Sequence, residues 1–346
     1  MRPLPLQVHP RRQPALASLI CFSLVLFLTA CGGGAGDSTG PQWQLVGLSG
    51  RFVHEVVFPP GSSLVYAATE RGLYVRTRDL RWKTLVPTGE VWGVYSGAGG
   101  RFLLTANGDG SVHVSHDGGR RWFSRRLTPM GVYAVTAMPG RPSQCLAAAG
   151  NGIYRSHDGG HSWRRTLVLA GSGADAFAWA SDSRVFAATV AGGPRPSAAV
   201  FQSFDGGSNW RPWGAGLPRA GVMSLLVKGG RLFAGSMGHA VWRSPLSRIS
   251  WRQVRQGMPA RDDHGAGLAV VPDRRDLFVG TQGYGVFDST NNGTTWKPFS
   301  AGLPSEQGLT IVLNLAYSDR DHALFAATPN GIYELRISRG ARATAS

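Results

Sequence analysis

The chain has 346 residues, with 36 lysines and arginines against 20 aspartates and glutamates, a formal net charge of +16. Its three cysteines allow at most one disulfide, and no His-Glu-x-x-His, Gly-x-Ser-x-Gly, Walker or paired Cys-x-x-Cys motif occurs. Zinc-protease, serine-hydrolase, P-loop and thiol-redox classes therefore lose their sequence support.

Residues 1–30 read as a lipoprotein signal peptide. Arg2, Arg11 and Arg12 form a positive start, and Ala15 to Ala30 is an uncharged apolar run too short to span a bilayer. The run ends Leu28-Thr29-Ala30-Cys31, which resembles a bacterial lipobox, so Cys31 is the expected lipidation site. Residues 31–41, rich in glycine from Gly32 to Gly40, read as a flexible tether. Gly32 after the cysteine favours an outer-membrane or outward-facing location in a bacterial cell envelope. Cys21 leaves with the leader and Cys31 carries lipid, so Cys145 stands alone and is expected to be a small buried hydrophobe. Without Arg2, Arg11 and Arg12 the mature chain carries 33 basic against 20 acidic residues, a net +13. All basic residues but Lys83, Lys228 and Lys297 are arginine, a bias that a GC-rich genome also produces. Such charge at a membrane surface favours anionic partners, namely lipid headgroups, an acidic glycan or an acidic protein face. Nucleic acid is not an expected partner of an exported lipoprotein.

From residue 42 onward tryptophans recur in phase. Trp43, Trp82, Trp122, Trp163, Trp210, Trp251 and Trp296 are separated by 39, 40, 41, 47, 41 and 45 residues. Within one unit the strand signals fall at 133–137, 144–149, 153–156 and from His161 on, separated by Gly, Asn or Asp. Small residues, a turn and then Gly-apolar-aromatic recur as Ala67-Ala-Thr69 with Gly72-Leu-Tyr74, and as Ala326-Ala-Thr328 with Gly331-Ile-Tyr333. A period near 40 with four short strands per unit predicts an all-β, seven-bladed β-propeller over residues 42–336. The last unit lacks its tryptophan and the first tryptophan lacks a blade, so the N-terminal strand is expected to close the ring. Residues 337–346 read as a disordered tail, and the protein as a monomer.

Before four of the tryptophans stands one turn motif: Ser115-His-Asp117-Gly-Gly119-Arg-Arg-Trp122, Ser156-His-Asp158-Gly-Gly160-His-Ser-Trp163, Ser203-Phe-Asp205-Gly-Gly207-Ser-Asn-Trp210 and Ser289-Thr-Asn291-Asn-Gly293-Thr-Thr-Trp296. It resembles the Asp-box, or BNR, repeat of sialidases, sortilin-type receptors, xyloglucan-specific glucanases and photosystem II assembly factors. Physically, the carboxylate accepts from turn amides, the glycines permit positive φ, and the ring packs on the blade. The motif is lost before Trp82 and before Trp251, where Leu246 stands for Asp. His116, Asp117, His157 and Asp158 are accordingly read as turn residues and not as a His–Asp site.

The resemblance implies that ligands bind on the opposite face, among second-to-third turns and blade connections. Sialidase-type chemistry would need an arginine cluster and a Tyr–Glu pair, and other glycosidases two facing carboxylates. The chain has five glutamates, of which Glu55 and Glu70 are candidates to face the channel, with Glu90, Glu306 and Glu334 completing the set. Asp262 and Asp263, beside His264, form the best acidic cluster and the weak catalytic candidates. The expected partner face comprises Glu70, Arg71, Trp92, Tyr133, Arg195, Arg219, Asp262, Asp263, His264 and Tyr284, with no metal and no cofactor. The sequence reading is a lipid-anchored, non-catalytic envelope scaffold similar to the photosystem assembly factors. Its alternative is a surface glycan-binding or glycoside-hydrolase propeller.

Overall fold

Short runs of β-branched and aromatic residues, interrupted every few positions by turn residues, fold into seven antiparallel sheets of four strands each. The structure is a computed structural model and describes residues 41–337, apart from 78, 87–88, 170–172, 191–198, 219–220, 239–240, 260–264 and 271–275. Blades 1 to 7 begin with the inner strands Val53–Val57, Val91–Ser96, Val132–Met138, Gly173–Trp179, Val222–Lys228, Gly265–Val270 and Asn314–Ser318. Each inner strand packs against the next and the seventh against the first, which closes a ring around a central channel. Blade 6 carries one extra pairing, of Thr310–Ile311 with Gln282–Gly283. Among the described residues no helix is long and apolar enough to cross a membrane.

The N-terminus closes the propeller. Gln44–Gly47 is the outer strand of blade 7, with Gln44 opposite Glu334 and Leu45 opposite Tyr333. Trp43 is 2% exposed, and its indole N–H donates to Phe299 O at 2.7 Å, tying the closing strand to blade 6. Closure this way leaves no open edge on Gly331–Arg336. Ile337, placed with the tail from sequence, still donates its amide to His322 O and packs on the last interblade layer.

The core consists of seven layers, one between each pair of neighbouring blades. The second strands are buried over most of their length, and small pairs such as Ala67-Ala68, Ala147-Ala148 and Ala326-Ala327 let adjacent sheets approach closely. Cys145 lies here, fully buried, and burial drives its thiol well above the usual range.

In the turn after the third strand, Ser115 Oγ donates to Asp117 at 2.9 Å and accepts from the Gly119 amide at 2.8 Å, while Asp117 accepts from the amides of Arg120 and Arg121. The Ser156, Ser203 and Ser289 turns repeat the serine-centred arrangement, with Asn291 Oδ1 in the carboxylate position of the last. Trp163 belongs to the turn, ahead of the outer strand Arg164–Val168, and does not open the strand as its position in the sequence suggested. Later indoles bridge blades: Trp210 donates to Thr166 Oγ1, Trp251 to Trp213 O and Trp296 to Val254 O. Those of Trp122 and Trp163 donate within their own turns.

Candidate functional site

Antiparallel order puts the second-to-third turns and the blade connections at one end of the propeller, and the serine-centred turns at the other. At the first end, six inner strands share a local irregularity. Val53 pairs with Thr69 and Glu55 with the adjacent Ala68, so His54 has no cross-strand partner. The same slip leaves Trp92, Tyr133, Asp175, Met223 and position 266 unpaired in blades 2 to 6. A β-bulge of this kind re-aims the extra side chain and frees it from the alternation of the pleat. Blade 7 shows no such slip in its pairing.

On blades 1 to 4 the bulge residues form a row. His54 Nε2 lies 3.3 Å from Glu90 Oε1, on the connection into blade 2. The neighbouring His54 and Trp92 rings hold Glu90 below the ordinary carboxylate range against the opposing effect of burial. Trp92 Nε1 is buried and faces that carboxylate without completing a well-formed hydrogen bond. Trp92 and Tyr133 stack with ring centroids 4.8 Å apart and planes within 3°. Gly131 makes room for this, since a Cβ there would fall 2.2 Å from Trp92 Cζ3. Burial and then the charge of Asp175 push the Tyr133 phenol upward. Asp175 itself, raised to about 7 by burial, has no hydrogen bond within the described residues.

Glu55 follows the first bulge, and its carboxylate is turned to the neighbouring blade, where Oε2 accepts from the Val94 amide at 2.7 Å. Asn314 Oδ1 accepts from Val56 N in the same way across the closure. Burial raises Glu55 to about 7 in spite of the amide bond. Its role is that of an interblade latch.

The expected partner-face residues fall into three groups. Trp92 and Tyr133 are brought together in the row. Glu70 and Arg71 form the second-to-third turn of blade 1 and pair with each other at 3.5 Å; Glu70 Oε2 is buried without a hydrogen-bond partner. Tyr284 stands on blade 6, its amide held by Thr281 Oγ1 and its ring against the layer between blades 5 and 6. Arg195, Arg219, Asp262, Asp263, His264 and Cys31 lie outside the described residues. The two His-Asp pairs are turn elements: His116 stacks near Phe102, Phe123 and His161, and His157 lies 2.9 Å from Arg155. Among the described residues no group of three or more His, Cys, Asp or Glu is arranged to hold a metal ion.

Sequence reasoning missed His54, Asp175 and the engagement of Glu90. The signal was available, since each bulge residue follows directly on the first or second residue of its inner strand, and aligning the blades in phase puts His54, Trp92, Tyr133 and Asp175 in one column.

No protein-family model and no curated protein sequence matches the chain. Among solved structures it is similar to the GH74 xyloglucanase from Xanthomonas campestris, with a TM-score of 0.69 at 19% identity over 85% of this chain and 53% of that one. It is also similar to YCF48 from Cyanidioschyzon merolae, with a TM-score of 0.62 at 14% identity over 85% of this chain and 98% of that one. A structure of YCF48 bound to D1 peptide gives 0.63 at 15% identity, over 89% and 98%. The chain spans about half the length of the GH74 enzymes it matches. At these identities the likeness establishes the propeller fold, which hosts enzymes and non-enzymes alike.

Proposed function

We propose that the protein is a lipid-anchored, non-catalytic propeller of the bacterial envelope that holds a partner protein on its bulged rim, as an assembly or binding scaffold. One observation supports this above others: all five glutamates are already engaged by the protein. Glu55 accepts from Val94, Glu70 pairs with Arg71, Glu90 with His54 and Glu334 with Arg336, and Glu306 accepts from Asn330. A glycosidase needs one carboxyl free to protonate the leaving group and a second free to attack or to activate water. On the rim Asp175 could serve as the first, and the glutamates leave none to serve as the second. The rim instead offers a stacked aromatic ledge, Trp92 on Tyr133, flanked by Glu90 and Asp175, a surface suited to anchoring a side chain or segment of a partner.

The ledge also supports a second reading, because aromatic rings stack on sugars, and a xyloglucanase is among the similar structures. Affinity capture from native membranes with the tagged full-length protein separates the two. Recovery of a defined membrane complex, lost on Trp92→Ala and Tyr133→Ala, is the expected result. Recovery of polysaccharide without protein, or release of reducing ends from xyloglucan, would move the assignment to a glycan-active propeller. Capture that ignores both substitutions would put the partner on another face.

A further inference from the structure

In blade 5 the serine-centred turn keeps its tryptophan but has lost the side-chain acceptor that Asp supplies in blades 2 to 4 and Asn291 in blade 6. Ser244 keeps the serine place, Leu246 takes the carboxylate place and Arg248 the place of the second glycine. Ser244 Oγ still accepts from an amide, that of Ser250 at 2.9 Å, and donates to Arg248 O at 3.1 Å. The turn therefore survives on its hydroxyl, without its anion.

Next to it, one face of the sheet gathers arginine. Arg243, on the third strand Val241–Pro245, stands directly opposite Arg252 on the outer strand. Arg231, on the second strand Arg231–Ser236, pairs with Pro245, two residues from Arg243 and so on the same face. With Arg248, Ser244, Pro245 and Ser250 these residues line a cavity of about 270 Å³. Like charges directly opposite each other in a ladder repel. Burial, and then the charges of Arg231 and Arg252, push the Arg243 guanidinium below its usual range. No carboxylate lines the cavity, and among the described residues none forms an ion pair with any of the four arginines.

Blades 3, 4 and 6 carry fewer than three arginines at these positions, with a glutamine or acidic residues among them. Blade 6 has Asp276, Asp288 and Lys297 there, with Asp288 opposite Lys297. Blade 4 has Arg184, Gln202 and Arg211, and Arg184 donates to Gln202 Oε1 at 2.9 Å. Blade 3 has Gln144, Arg155 and Arg164, with Arg155 donating to Gln144 Oε1 at 3.0 Å. Arg155 and Arg184 also donate to the turn of the next blade, at Ser208 Oγ and Leu246 O, as Arg243 Nη1 does to Asn292 O at 2.8 Å. Arg243 differs in having no glutamine partner in its own blade among the described residues. The contact with Asn292 anchors the planar group of a cavity-lining arginine, whose five donors in a fixed fork suit it to tetrahedral oxoanions.

We propose that this cavity is a binding site for a multiply charged oxoanion of the phosphate class, held by Arg231, Arg243, Arg248 and Arg252. Such an anion supplies the negative charge that blade 6 provides from its own aspartates at these positions. It accepts several charge-assisted hydrogen bonds at once, so affinity rises with ligand charge. The phosphate belongs either to a soluble compound or to a lipid headgroup.

Titration calorimetry on the detergent-solubilised full-length chain, with pyrophosphate as probe, tests this. One-to-one binding is expected, tighter than to inorganic phosphate, absent with chloride and weakened by salt. Arg243→Gln should weaken it by about tenfold or more, while Arg243→Lys, which keeps charge but loses the fork, falls between. Arg141→Gln, on blade 3, should leave it unchanged. Because Arg243 also contacts blade 6, the exposed pair Arg231→Gln with Arg252→Gln provides a variant that keeps that contact, and the same loss is expected. Absence of pyrophosphate binding in the folded wild-type protein overturns the proposal, as does equal weakening by Arg141→Gln. Displacement of pyrophosphate by a water-soluble short-chain phosphatidic acid, but not by the matching phosphatidylcholine, assigns the headgroup as source. Pyrophosphate binding that phosphatidic acid leaves untouched assigns a soluble phosphate compound.

Discussion

Blades 4 and 5 are neighbours with the same strand order, and they solve the same turn differently. In blade 4, burial would raise Asp205, but bonds from Asn209, Ser203 and Ser208 outweigh it and bring the carboxyl down to about 2. Across the blade, Arg184 donates to Gln202 Oε1 and, in the turn of blade 5, to Leu246 O. In blade 5 the carboxylate is Leu246, the serine alone organises the turn, and three arginines meet on one sheet face. The tryptophan is common to both and more deeply buried in blade 5, where Trp251 is 9% exposed and bonded to Trp213 O. The ring and the hydroxyl hold the turn. The carboxylate adds stability and negative charge; blade 6 replaces it with Asn291 and keeps acidic residues on the sheet, whereas blade 5 has neither and is cationic.

Breaking the shared element should have the largest effect. Trp251→Ala removes a buried ring and an interblade bond, and is expected to cost about 3–5 kcal/mol in denaturant unfolding. Trp210→Ala, whose ring is half-buried, should cost less. Equal losses would mean that burial does not set the difference.

The rim and the blade 4 turn should respond to pH with opposite signs. Asp205 titrates lower folded than unfolded, so its contribution is present above about pH 4 and is lost as pH falls through about 2. Glu55 and Asp175 titrate near 7 when folded, so the folded state holds their protons more tightly. Their contribution is full below about pH 4 and declines as pH rises toward 7, by on the order of 1–3 kcal/mol each. Glu55→Gln with Asp175→Asn should flatten the stability profile between those pH values, as read by chemical unfolding at several pH values. A profile that keeps its slope in the double variant would rule out these groups as its source.

Smaller effects separate the two turns directly. Ser203→Ala and Ser244→Ala each strand a turn amide, and each should cost about 1–3 kcal/mol. Asp205→Asn should cost about 1 kcal/mol, because Asn291 performs the same acceptor role in blade 6 at no loss of geometry. Leu246→Asp, which restores the acidic position in blade 5, should change stability least and still weaken pyrophosphate binding. If it leaves pyrophosphate binding intact, the lost carboxylate is not what made blade 5 cationic.

Much of this architecture was legible along the chain. The tryptophan phase set the number of blades, and the unmatched Trp43 and the unfinished last unit identified the closing strand, because a repeat of fixed length leaves its mismatch at the ends. The four serine-centred turns were readable because their hydrogen bonds join residues no more than four positions apart. The stacking of Trp92 on Tyr133 was not, since it joins consecutive blades about 40 residues apart and depends on a register slip in each inner strand. Glu55 looked like a channel residue until the close approach of blades 1 and 2 turned it onto Val94. The cationic cavity of blade 5 draws on three strands and a turn, each carrying an ordinary surface arginine. Local spacing is fixed by covalent geometry and can be read in order, whereas cross-strand register and interblade distance exist only once the ring has closed.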